Sequence, residues 1–120
     1  MVGGGFTLHW RGKQVFARVE RAAILGIEET TEAAVSVAKP LTPVDIGFLR
    51  GSEHALPARR EGNRIVGRWG AFGVAYAIWV EIGARGRAGV HMFRRAADRE
   101  YPKLAGRIRK HFRALSKKGR

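Results

Sequence analysis

The residues of this chain best equipped for chemistry are four histidines, a serine beside a glycine, and two carboxylates set among apolar neighbours. His9, His54, His91 and His111 are scattered, with no i, i+4 pairing and no attendant carboxylates. A zinc site needs three or four converging ligands, so each histidine reads as an ordinary surface or core-edge residue. Ser52, in Arg50-Gly51-Ser52, would need a base and an orienting third group to act as a nucleophile. No glycine-elbow pattern surrounds it, and a hydroxyl closing a turn is the better reading. Asp45 and Glu81 could serve as an acid–base pair, but each fits a loop-holding role better, Asp45 by capping and Glu81 by pairing with an arginine. The run Gly83-Ala84-Arg85-Gly86-Arg87-Ala88-Gly89 lacks the Gly-Lys-Ser/Thr ending and the strand–loop–helix setting of a phosphate loop. It reads as a basic, mobile loop. No catalytic residue, cofactor or metal is expected.

Composition sets the frame for these residues. The chain has 120 residues, 45% of them hydrophobic, which suits one globular domain. Without cysteine, neither disulfides nor cysteine-ligated metal sites can form. No apolar run reaches the roughly 20 residues that span a bilayer. Residues 1–7 lack the basic, apolar, small-residue order of a signal peptide, and Val2 removes N-myristoylation. Synthesis in a cytoplasm is the expectation. The net charge of +13 should attract a polyanion: nucleic acid, anionic lipid or an acidic protein face.

A flexible arm is read over residues 1–12, a single α+β domain over 13–116 and a basic tail over 117–120. Val15, Val19, Ala23, Gly26, Thr30, Ala34, Val37 and Leu41 recur at helical spacing, predicting a long amphipathic helix over 13–39. Arg18, Arg21, Glu28, Glu29 and Glu32 fall on its opposite face. Ile24 and Val35, beside the main stripe, either broaden the buried face or meet a neighbouring subunit. Pro40 should end the helix. Residues 41–52 read as a turn-rich corner, with Leu49 entering a strand. A hairpin is read over 53–69, with apolar runs Ala55-Leu56 and Ile65-Val66 and a turn at 60–63; Pro57 pushes its first strand to an edge. Residues 74–82 fit both periods and are read as a strand ending in a turn near Gly83. Phe93, Ala97, Tyr101, Leu104, Ile108, Phe112 and Leu115 predict a C-terminal helix, kinked or restarted at Pro102. Residues 94–120 hold eleven bases and two acids and so carry +9 of the +13. The fold expected is α+β: a long N-terminal amphipathic helix, a small antiparallel sheet, and a basic C-terminal helix kinked near Pro102.

Two segments stand out within this frame. Pro43, Val44, Asp45, Gly47, Leu49, Arg50 and Ser52 resemble the motif Pro-Val-Asp-Thr-Gly-x-Leu-Arg-x-Ser of bacteriophage tail-completion or head–tail joining proteins. Tyr76, Ala77, Trp79, Val80, Glu81 and Gly83 resemble a second motif of that family, Tyr-Ala-x-Tyr/Trp-Val-Glu-x-Gly-Thr. Phe93, Arg94 and Ala96 match an aromatic-Arg-x-Ala element at the start of the last helix. Ile46 and Ala84 depart from it, replacing threonines whose hydroxyls could cap each turn. The resemblance implies a non-enzymatic virion subunit that forms a homo-oligomeric ring, a hexamer, at the head–tail junction. Such a ring links the capsid connector to the tail and continues the DNA channel. The implied partners are further copies of the chain and neighbouring head-completion and tail proteins, without a membrane, after synthesis in a bacterial host. Arg50 and Glu81 are then expected to hold the corner against the sheet. Arg85, Arg87, Arg107, Arg109, Lys110, Arg113, Lys117 and Lys118 are the candidates for contact with channel DNA or an acidic partner. A tail terminator or head-closure subunit is the nearest alternative. A free, basic nucleic-acid-binding protein is the alternative of another class.

Overall fold

The long apolar stripe becomes the axle of the structure. The computed structural model describes residues 3–9, 17–43, 47–74, 76–84 and 86–118, and in it helix α1 spans Ala17–Leu41. The buried residues of α1 are Ala22, Ala23, Gly26, Ile27, Thr30, Thr31, Ala34, Val35 and Ala38. Most are small, so neighbouring elements come close to its backbone. Thr30 and Thr31 are buried without losing hydrogen bonds, because their hydroxyls donate to the carbonyls of Gly26 (2.8 Å) and Glu28 (3.1 Å). Val35 belongs to the main core and Ile24 packs beside Ala23 and Ile27; both broaden the buried face. The helix ends one residue after Pro40. Its predicted start, at residues 13–16, lies outside the described residues.

The sheet is antiparallel and is built on β4 (Arg64–Ala71). One edge of β4 takes β1 (Gly5–His9), with Phe6 opposite Gly67. The other takes β2 (Glu53–Ala55) and then β3 (Arg59–Glu61). Ala55 is opposite Trp69 while Arg59 is opposite Val66, so four steps on one side face three on the other. The extra residue is a bulge at Leu56–Ala58, where Pro57 has no N–H to give the ladder. The Glu28 carboxylate of α1 accepts the bulge's Ala58 amide at 3.1 Å. The hairpin between β3 and β4 turns at Gly62–Asn63, with Gly62 at φ +65°.

After β4, helix α3 (Ala77–Ile82) leads into a two-stranded ribbon, β5 (Gly83–Ala84) and β6 (Arg87–Ala88). Helix α4 (Met92–Glu100) follows, then a single 3₁₀ turn at Tyr101–Lys103, then α5 (Leu104–Lys118). The break predicted at Pro102 is that turn, with proline in its first positions. Trp69, fully buried, centres the main core with Leu49, Met92 and Phe93. Its indole N–H donates to the Tyr101 hydroxyl at 3.0 Å, and burial raises the pKa of that phenol. Helix α5 runs antiparallel along the N-terminal half of α1 and stretches the molecule to 57 × 26 × 21 Å.

The α+β expectation holds, but five local readings change. Residues 5–9, read as part of a flexible arm, form β1, because β4 offers them a second edge of unpaired amides. The corner does not carry Leu49 into a strand; α2 (Gly47–Ser52) turns that side chain fully into the core. Residues 77–82 are helical: Gly73 breaks the chain after β4 at φ +78°, and helical spacing buries Ala77 and half-buries Val80. The loop at 83–89 is closed by the β5–β6 ribbon. Lys117 and Lys118, read as the start of a basic tail, are the last residues of α5.

The axle leaves no slack against its neighbours. A methyl on Gly67 of β4 would overlap Ile27 Cγ2 and approach Thr31 Cγ2 to 3.2 Å, and one on Gly26 would lie 2.6 Å from Ile108 Cγ1 of α5. Gly67→Ala should therefore cost about 1–3 kcal/mol through overpacking, read as a lowered midpoint in denaturant unfolding. Gly51→Ala, with nothing within 4 Å, is the control expected to unfold like the parent.

Candidate assembly surfaces

Glu81 welds α3 to α4. Its two carboxylate oxygens accept the backbone amides of Phe93 (2.9 Å) and Arg94 (3.1 Å), donors that the first turn of a helix leaves without partners. The residue before α4, His91, makes no side-chain cap and sits in the left-handed region at φ +55°. Glu81 supplies the missing cap from another element, and its negative charge sits at the positive end of the α4 dipole. In return, Val90 N–H donates to the Val80 carbonyl (2.9 Å) and His91 N–H to that of Glu81 (3.0 Å). Gly89 fits between because a β-carbon there would strike the Glu81 carbonyl oxygen. The partner expected for Glu81, an arginine side chain, is replaced by backbone amides. Among the described residues no ion pair joins it to Arg50, which lies half-buried on α2.

The weld holds a short helix whose outer side is apolar. Tyr76, Ile78, Trp79 and Ile82 are all exposed, Trp79 at 58% and Ile82 at 55% of their full surface. Ala77 faces the core, and Val80 packs against it. The second motif thus divides by face: Ala77, Val80, Glu81 and Gly83 (φ +92°) build the support, while Tyr76 and Trp79 are displayed. Helical spacing, the alternative to the strand reading, contained this signal.

The first motif is mainly structural. Leu49 fills the core, and Ser52 Oγ donates to the Leu49 carbonyl at 2.7 Å, closing the last turn of α2. Pro43 is half-buried after α1. Gly47 is the first residue of α2; Val44, Asp45 and Ile46 lie outside the described residues.

The basic C-terminal residues divide in the same way. Arg107, expected on an open basic face, is only 14% exposed. Its guanidinium reaches Glu100 (2.6 Å), Glu29 (3.3 Å) and the Thr30 hydroxyl (3.1 Å), tying α5 to α4 and α1. Arg107 holds the Glu100 carboxyl below its ordinary pKa, with Lys103 adding to the effect. Lys110 and His111 both contact Glu29, at 2.8 and 2.7 Å, and Lys110 leads in lowering that pKa. Arg107 is thus withdrawn from the candidate contacts because internal carboxylates neutralise it. Arg109 and Arg113 are exposed and flank an apolar cleft of about 450 Å³ lined by Val19, Ala22, Ile108 and Phe112. Arg85 lies outside the described residues. Arg87, Lys117 and Lys118 are placed only as members of β6 and α5.

Of the histidines, His54 Nδ1 donates to the Ser52 carbonyl (3.0 Å) and its ring packs on Phe72, and His111 meets Glu29. Among the described residues no three His, Asp or Glu side chains converge as a metal site would require. No described helix is long and apolar enough to cross a membrane. No protein-family model, curated protein or solved structure matches the chain.

Removing the weld should be measurable without unfolding the molecule. Glu81→Ala is expected to cost about 1–2 kcal/mol, the range of a lost helix cap, and to speed amide exchange at Phe93 and Arg94 first. Glu81→Gln, which keeps one acceptor oxygen, should fall between it and the parent.

Proposed function

We propose that this protein is a structural subunit of a tailed phage or phage-like particle, a tail-completion or head–tail joining component that assembles as a hexameric ring between the capsid connector and the tail. The observation that carries this reading is the rigid apolar display on α3: Trp79 and Ile82 stand more than half exposed on a helix pinned at its C-terminal end by Glu81. Contiguous exposed apolar side chains mark interaction surfaces, and aromatic residues held on a rigid support are typical anchors of protein interfaces. These residues fall within the second motif on which the family resemblance rests. In this reading α3 meets the next subunit, at the head–tail junction of the virion. The exposed Arg109 and Arg113, with the arginines of α4, face either the DNA channel or an acidic neighbouring protein. A tail terminator or head-closure subunit would use the same surfaces.

The same basic residues support the alternative of another class, a free nucleic-acid-binding protein. That protein would bind bulk DNA as a monomer, with affinity falling steeply as salt rises. A test in particle-producing cells separates the two. Trp79→Glu should leave the fold within about 0.5 kcal/mol of the parent, as exposed substitutions usually do, yet give heads and tails that remain unjoined in electron micrographs. Trp79→Phe should join them. Joined particles at parental numbers with Trp79→Glu would exclude the α3 contact.

A further inference from the structure

Two of the buried polar side chains face each other where α1 ends and the sheet begins. Glu53, the first residue of β2, is 1% exposed, and so is Thr42, which follows α1. Thr42 Oγ lies 2.9 Å from Glu53 Oε1, 2.8 Å from Oε2 and 3.1 Å from the Ala38 carbonyl oxygen. The contact closes the stretch 42–53, which carries α2 and the first motif.

Counting hydrogens decides the state of this acid. If Glu53 is ionised, a single hydroxyl hydrogen must serve the carboxylate and the Ala38 carbonyl. Among the described residues, a buried charge is then left with at most one neutral donor, which is costly. If Glu53 is protonated, its O–H donates to Thr42 Oγ while the Thr42 hydroxyl donates to Ala38. Two hydrogens then make two bonds. The location adds to this: the carboxyl sits at the C-terminal end of a 25-residue helix, where the dipole disfavours an anion. The Thr42 amide, which could have turned toward the acid, is already given to the Ala38 and Lys39 carbonyls, each at 3.1 Å. The charged groups around Glu53 among the described residues are Lys39 of α1 and Arg50 of α2, which favour ionisation, and Glu81 of α3, which opposes it. Among the described residues neither cation comes within ion-pair distance of it.

We propose that Glu53 is held as the neutral acid in the folded protein and acts as a proton-operated latch between the end of α1 and β2. Burial, the largest influence, moves its pKa above the ordinary glutamate value of 4.5. A raised folded-state value means the folded protein holds the proton more tightly than the unfolded chain. The latch is therefore fully closed below the unfolded-state pKa. It weakens as pH rises through the folded-state pKa, by at most tenfold in the folding equilibrium per pH unit, and levels off above it. Opening would release the corner that carries α2 while leaving the α1–α5 pairing in place. The inference does not depend on the assembly reading.

A carbon-detected titration of the wild-type side-chain carboxyls, together with Glu53→Gln, tests it. Glu53 should remain protonated after the other glutamates have ionised. Glu53→Gln, a permanent uncharged stand-in, should remove the loss of thermal stability that the wild type shows over the same pH range. Should Glu53→Gln not fold, the wild-type titration still decides. A Glu53 resonance that titrates with the surface glutamates would overturn the latch. So would a Glu53→Gln protein whose stability falls with pH as the parent's does.

Discussion

The carboxylate of Glu81 sets the geometry on which the outer surface depends. It belongs to one helix and caps another, while the first helix returns its own terminal carbonyls to the amides of Val90 and His91. Two short helices, each too short to be stable alone, thereby become a single rigid corner. A lone helix of six residues could not present a tryptophan in a fixed direction. Braced at Glu81, with Ala77 in the core, it can. The left-handed backbone at His91 is tolerated because four hydrogen bonds surround the junction.

A similar economy governs charge. A chain of net charge +13 must keep its cations apart or neutralise them where helices pack. Arg107 is placed between Glu29 and Glu100, so the most buried of the described C-terminal cations secures α5 rather than reaching outward. The cations left on the surface, such as Arg109 and Arg113, border an apolar cleft. Outward positive charge and helix packing thus fall to different residues of one helix, according to which face each occupies.

Much of this was legible in the residues because it depends on period. The long stripe of α1 and the stripe from Phe93 to Leu115 are strong 3.6-residue patterns, and Pro102 marked the break between α4 and α5. The shorter elements were not so readable. Residues 74–82 carry both periods at once, and only the tertiary setting, with Ala77 drawn into the core and Glu81 into the α4 cap, selects the helix. Nothing local to Gly5–His9 reveals that β4 lacks a partner on one edge. The corner at Leu49 shows the same limit: its turn residues are evident, but the short helix follows from the need to bury that leucine. Partners distant in sequence, such as Glu81 with Phe93 or Arg107 with Glu29, leave no trace in spacing.

In the proposed role this chain is a part, made to associate through the surface that α3 holds out. Electron-microscopic imaging of the purified protein at high concentration tests it most directly. Closed rings of one symmetry are expected, with α3 of each subunit seated against the next. A uniform population of single subunits, with the α3 face still open to solvent, would contradict it.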